Sequence, residues 1–323
     1  MKWNKLGNIF RPEAHMVSGE PLSFAQSPQT LVFHDFVRIY FSTRKCDPIN
    51  NKFFSHIAYV DMDKAFNVIA ISTHEVIPLG ELGTFDEHGI FPINILKKDD
   101  QLLAYTCGWS RRKSVSVETS TGLALSTDEG KTFQKVGHGP VFSSSLYEPL
   151  LVGDSFVKYY DGLFHMWYIY GTKWIESDGI EPPARVYKIA HATSVDNVHW
   201  KRDGKQIIAD ELNADECQAL PTVLKIGNRY HMYFCFREAK DFRTNPKNGY
   251  RLGYAYSDDL MQWTRDDAHS GIGLGPTTTW DADMMCYPHI FEWHGNVYLL
   301  YNGNEFGKYG FGIAQLEKND TEC

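Results

Sequence analysis

The chain has 323 residues and a net charge of −8, with 43% hydrophobic and 22% charged side chains, enough apolar material for one large core. That acidic balance argues against a nucleic-acid or anionic-membrane partner, and no run approaches the roughly 18 apolar residues of a membrane span. Cys46, Cys107, Cys217, Cys235, Cys286 and Cys323 form no close pair and read as reduced thiols. Residues 1–10 lack the apolar stretch of a secretion signal. The expectation is a soluble cytoplasmic protein.

Taken in order, the chain repeats one unit five times. The first copy is Ala25-Gln26-Ser27-Pro28-Gln29-Thr30. The second runs Asp86-Glu87-His88-Gly89-Ile90-Phe91-Pro92, and the third Gly153-Asp154-Ser155-Phe156-Val157. The fourth opens on Asp215-Glu216-Cys217, passes Pro221 and turns at Gly227-Asn228. The fifth opens on Asp283-Met284-Met285-Cys286-Tyr287-Pro288 and turns at Gly295-Asn296. Aligned on Pro28, Pro92, Ser155, Pro221 and Pro288, the copies are 64, 63, 66 and 67 residues apart. A second landmark trails in each unit, best seen at Gly122–Asp128, Ile189–Asp196 and Gly253–Asp259, with Phe133, Trp200 or Trp263 following.

Between landmarks, short polar–apolar alternations are bounded by Gly, Asn and Asp, the signature of strands and turns. About 65 residues accommodate four antiparallel strands, which is one propeller blade. The predicted fold is all-β: a single five-bladed β-propeller domain over residues 1–323. Its blades fall at about 22–80, 81–145, 146–210, 211–275 and 276–316. The fifth is short, and residues 3–10 resemble the outermost strand of other units. They are expected to pair into the last blade and close the ring, hiding both sheet edges. Ser126-Thr-Asp-Glu-Gly-Lys-Thr-Phe133 matches the Asp-box of sialidases and other propellers, read here as a hairpin turn tied by side-chain oxygens.

The acids that precede each apolar run, Asp86/Glu87, Glu148 or Asp154, Asp215/Glu216 and Asp281/Asp283, are expected around one axial opening. Crowded carboxylates raise a pKa, and a paired acid and carboxylate are what glycoside cleavage needs. Arg44, Arg111, Arg112, Arg237, Arg243 and Arg251 fall at strand ends or in loops, where guanidinium forks could hold an oxyanion. His88 and His289 flank the acid motifs as hydrogen-bonding partners. Trp109, Trp174, Trp280 and Tyr287 could stack on a sugar face. No spacing indicates a metal site, and no phosphate-loop, dinucleotide or serine-hydrolase motif is present, so no cofactor is expected.

On these residues the chain resembles the five-bladed propeller glycosidases, the superfamily of arabinanases, xylosidases, invertases and β-mannoside phosphorylases. Gly153-Asp154-Ser155 is similar to the segment whose Asp stabilises the transition state in the invertase branch. Asp215-Glu216-Cys217 resembles the Glu-Cys segment carrying its general acid. The first unit departs from the pattern, with Ser23-Phe24-Ala25-Gln26-Ser27 where those families place an Asp. The resemblance implies a glycoside hydrolase acting on a small carbohydrate. Glu216 would be the general acid, Asp86 or Asp283 the base or nucleophile, and Asp154 a sugar-holding or pKa-tuning group. Glu87, His88, Asp215, Arg237, Arg251, Trp109, Tyr287 and His289 would contact substrate. Two other readings stay open: a phosphorylase or transferase whose arginines hold phosphate, and a glycan-binding propeller without activity.

Overall fold

The structure, a computed structural model, describes residues 1–17, 19–177 and 182–318; Cys323 lies outside them. The alternating stretches become antiparallel meanders. β1 (Trp3–Phe10) precedes a small hairpin of β2 (Met16–Val17) and β3 (Glu20–Pro21). The first meander is β4 (Gln26–Val32), β5 (Val37–Asp47), β6 (Lys52–Met62) and β7 (Val68–Ile71). The second is β8 (Gly89–Lys98), β9 (Gln101–Arg111), β10 (Val117–Ser126) and β11 (Gln134–Lys135). The third is β12 (Val152–Tyr160), β13 (Leu163–Ile175), β14 (Ala184–Ser194) and β15 (Lys201–Arg202). The fourth is β16 (Cys217–Ile226), β17 (Arg229–Arg237), β18 (Arg251–Ser257) and β19 (Thr264–Arg265). The last has three strands of its own, β20 (Cys286–Trp293), β21 (Asn296–Asn302) and β22 (Phe311–Leu316).

β1 supplies that last sheet with its fourth strand. It runs antiparallel to β22, with Trp3 opposite Leu316 and Phe10 opposite Phe311. Bulges after Lys5 and Asn8 let the two strands keep this register. The first two meanders share a sheet only through a parallel bridge from Ser55 to Gly89. The first strands of the meanders pack in cyclic order: β4 on β8, β8 on β12, β12 on β16, β16 on β20, and β20 on β4.

Apolar side chains fill the spaces between neighbouring meanders. Ile39 and Phe41 pack with Leu300, Phe311 and Ile313 between the first and last, and Tyr40 and Ile57 with Ile93 and Ala104 between the first and second. Leu103 and Tyr105 meet Val157 and Tyr168 between the second and third. The largest cluster joins Trp167, Tyr233, Met232, Ile290 and Tyr301 across the last three. The sheets thus stack face to face, each covering the next.

The tips follow the sequence pattern closely. Ser126 Oγ accepts from the Gly130 amide at 2.8 Å, and Asp128 Oδ1 from the Thr132 amide at 2.9 Å. Phe133 is buried behind them. Gly130 has φ +78°, and a Cβ there would meet Tyr40 Oη at 2.3 Å, so the turn requires glycine on two counts. In Ser194/Asp196 and Ser257/Asp259 the serine and aspartate likewise accept amides of the turn, two or three residues on instead of four.

Trp3 anchors β1: its indole Nε1 donates to Tyr233 Oη at 2.8 Å and to the Ser270 carbonyl at 3.1 Å. Trp3→Phe keeps most of the ring and loses both bonds. We expect urea unfolding to show a loss of about 1–2 kcal/mol; unchanged stability would mean these bonds do not hold the strand.

Candidate functional site

The five inner strands share one irregularity. Their pairing slips between Gln26 and Gln29, Ile90 and Ile93, Gly153 and Phe156, Ala219 and Thr222, and Cys286 and His289. At four of these bulges a side-chain-bearing residue occupies the left-handed region: Ser27 (φ 53°), Asp154 (50°), Leu220 (48°) and Tyr287 (57°). That backbone is costly away from glycine, and such strain collects where a side chain is aimed at a ligand. Phe91 holds the corresponding place in β8. Gln26, Phe91, Asp154, Ala219 and Tyr287, at or beside the five bulges, line one cavity of about 690 Å³. It lies where the inner strands converge.

Asp154 is the only carboxylate among the described lining residues. It is 8% exposed. Burial pushes its carboxyl up to about 7, against the opposing pull of the Arg185 guanidinium and a hydrogen bond from the Leu220 backbone. Around it stand the rings of Phe91, Trp109, Tyr187, Tyr250 and Tyr287. The Tyr187 and Tyr250 hydroxyls are 2.9 Å apart, and Arg237 Nη2 donates to Tyr187 at 2.9 Å. Arg44, Arg185 and Arg243 complete the wall, with Lys52, Arg111, Arg112 and Lys113 nearby. The lining therefore carries seven cationic side chains and one acid.

The expected ring of acids is not found there. Glu216 is fully buried in an ion pair with Arg265 at 2.6 Å, while its other oxygen accepts the Glu211 and Leu212 amides at 2.9 Å. Asp86 pairs with Lys135 at 2.5 Å, Glu148 with Arg202 at 3.0 Å, and Asp281 with Lys5 at 2.6 Å. In each case an acid just ahead of the innermost strand meets a cation on the outermost strand of the same sheet: β11, β15, β19 or β1. The repeated acids clamp four sheets from edge to edge, and besides the cation each accepts from amides (Glu216) or from hydroxyls (Asp86, Glu148 and Asp281). The first meander has Ser23 at this place and, among the described residues, no such clamp.

The remaining expected residues divide the same way. Trp109 and Tyr287 join Asp154 in the cavity. Asp283 is exposed, its amide bonded to Asn304 Oδ1 and its carbonyl accepting from Arg251. Arg251 also holds the Pro246 carbonyl, so it pins a loop and does not face the cavity. Asp215 pairs with Lys173 at the surface. Glu87 accepts the Gly83 amide, and His88 is stacked between Phe54 and Trp109. Burial and Arg111 hold His88 below the usual imidazole range. His289 is buried, with Nε2 against Thr30, and Arg237, 3.5 Å from the Phe242 ring centroid, supports the tyrosines from behind. Among the described residues no three His, Cys, Asp or Glu side chains are grouped to hold a metal ion.

Sequence reasoning passed over Phe91, Tyr187, Tyr250 and Arg185. Phe91 was within reach, since the residue before each aligned Pro or Ser is the one at the bulge.

No family profile matches the chain. Two proteins of Mycobacterium tuberculosis, both described as uncharacterized, are 30% identical to it over 322 residues, covering 98% of this chain and 100% of each of theirs. Among solved structures, one described as a glycoside hydrolase gives a TM-score of 0.71 at 15% identity, over 98% of this chain and 93% of that one. An endo-arabinase from Bacteroides thetaiotaomicron gives 0.63 at 11% identity, covering 97% and 99%. An exo-1,5-alpha-L-arabinanase from a bovine ruminal metagenomic library gives 0.64 at 11%, covering 93% and 95%. These neighbours are arabinanase-type β-propeller glycoside hydrolases, and the likeness is one of fold.

Proposed function

The chain belongs to the same family as the two mycobacterial proteins, and we propose that it is a carbohydrate-active enzyme that cleaves or transfers a glycosyl unit in the central cavity. We assign it a single five-bladed β-propeller, with the blade limits expected from the repeats and β1 closing the ring. The cyclic packing of the inner strands and their five matching bulges support this. Five cysteines without a disulfide among the described residues suit a reducing, cytoplasmic setting.

One observation carries the functional reading. A single buried carboxylic acid, on strained backbone, points into a ring-lined cavity of a fold shared with glycoside hydrolases. With its carboxyl near 7, Asp154 is about half protonated at neutral pH, which suits a group that gives a proton to a leaving oxygen. The rings of Trp109 and Tyr287 offer apolar faces for a sugar. Two-carboxylate glycosidases place the second group roughly 5–9.5 Å from the first. No second carboxylate lines this cavity among the described residues, so the attacking oxygen arrives with water or with a second substrate.

The test is a panel of glycosides and glycosyl phosphates, followed by mass spectrometry for released sugar or new linkages. Turnover by the wild type and its collapse in Asp154→Asn is the expected result. Saturable glycan binding with no product across the panel would reduce the protein to a binding module.

A further inference from the structure

Six enclosed cations of this protein, Lys5, Arg38, Lys135, Lys188, Arg202 and Arg265, each sit against a carboxylate, while the buried Arg237 is held by Tyr187 and backbone carbonyls. The central cavity gathers cations that lack the first kind of partner. Arg44, Arg185 and Arg243 line it, and none has an ion-pair partner among the described residues. Neutral groups lie against their guanidinium planes, while Arg185 also pulls on the Asp154 carboxyl from a distance. Arg44 lies 4.3 Å from the Phe24 ring centroid and donates Nε to Gln26 Oε1 at 2.9 Å. Arg185 lies 5.9 Å from Tyr187, and Arg243 4.3 Å from Phe242.

An aromatic face fixes the plane of a guanidinium without using its N–H fork. The forks therefore stay available, in a site where rings reduce competition from water. The three cations also oppose one another: Arg44 and Arg243 are lowered from the usual guanidinium range, by the desolvating rings around them and by another arginine close to each, although the Arg243 side chain still reaches solvent. Unliganded, this arrangement is unfavourable, and an anion would relieve it. A carboxylate offers two oxygens and one charge to three forks. A phosphate offers three terminal oxygens and up to two charges, the better match in both number and geometry.

Resting on the reading of this cavity as a glycosyl site, we infer that it binds a phosphate group through Arg44, Arg185 and Arg243, with the sugar ring against Trp109 and Tyr287. The phosphate is either carried by the sugar or supplied free as a second substrate.

Calorimetric titration of the full chain with sodium phosphate, glucose 1-phosphate and glucose, at constant ionic strength, tests this. Phosphate and glucose 1-phosphate should bind, and both should weaken about tenfold or more in Arg243→Gln and in Arg185→Gln. Arg243 is exposed, so its variant should keep the wild-type melting temperature. Glucose 1-phosphate binding well above phosphate assigns the group to the sugar; equal affinities assign it to a free co-substrate. Absence of binding by both phosphates in the wild type, or binding indifferent to both substitutions, overturns the inference. Turnover of a neutral glycoside that still depends on Asp154 would then leave the enzymatic reading standing alone.

Discussion

Asp154→Asn should lower turnover by about 10²–10⁴, the worth of a positioned general acid, while making the protein more stable above neutral pH. The second effect follows from the proton balance. Burial holds the folded carboxyl near 7, whereas in the unfolded chain it titrates near 3.8. Between those values the folded state keeps a proton that the unfolded state has released, so stability falls as pH rises through the window. Above it the folded protein carries an ionised, largely desolvated carboxylate, at a cost of about 4 kcal/mol relative to the low-pH state. Asparagine has no proton to lose. Urea unfolding at pH 4, 5.5, 7 and 8 should therefore show a declining wild type, with the variant lacking that component of the decline. Parallel curves would mean Asp154 titrates like an exposed acid and is no proton donor at neutral pH. The rate should fall on the alkaline side as the acid ionises.

Glu216→Gln should have the opposite profile, with stability lost and chemistry kept. The substitution leaves Arg265, whose side chain is 6% exposed, without its closest counter-charge. Removing one member of a buried pair costs about 3–5 kcal/mol. Asp267, 2.9 Å from the same guanidinium, places the expected loss at the lower end of that range. Adding Arg265→Met should recover much of it, because the orphaned charge disappears with its partner. Stability is read from urea midpoints, and turnover is normalised to folded protein. A variant of unaltered stability and collapsed turnover would put Glu216 in contact with substrate.

The two variants mark what could be read from the chain alone. The repeat spacing and the Ser-x-Asp turns are local signals, written within a few residues of where they act, and both matched the meanders. The place of Asp154, Trp109 and Tyr287 in the cavity was legible because they sit at or beside the inner-strand landmark. The ion pairs of Glu216 and Asp86 were not, because a carboxylate ahead of an inner strand serves equally as an acid facing the cavity or as a clamp reaching outward. The deciding partners, Arg265 and Lys135, lie about 50 residues downstream with no motif around them. Arg185 was missed for a related reason: its place in the wall depends on how β14 meets the cavity, which no spacing encodes.

The pairing of β1 with β22 also governs how the molecule comes into being. Trp3 must find Leu316, a strand translated some 300 residues later. At roughly 5–20 residues per second, the ribosome leaves the first strand without its mate for on the order of tens of seconds. Throughout that wait it is an unmated edge with an apolar Trp and Phe at its ends, open to the wrong neighbour. The final sheet can form only after synthesis is nearly over. A chain cut short before Phe311 would thus lose strands at both termini in one stroke.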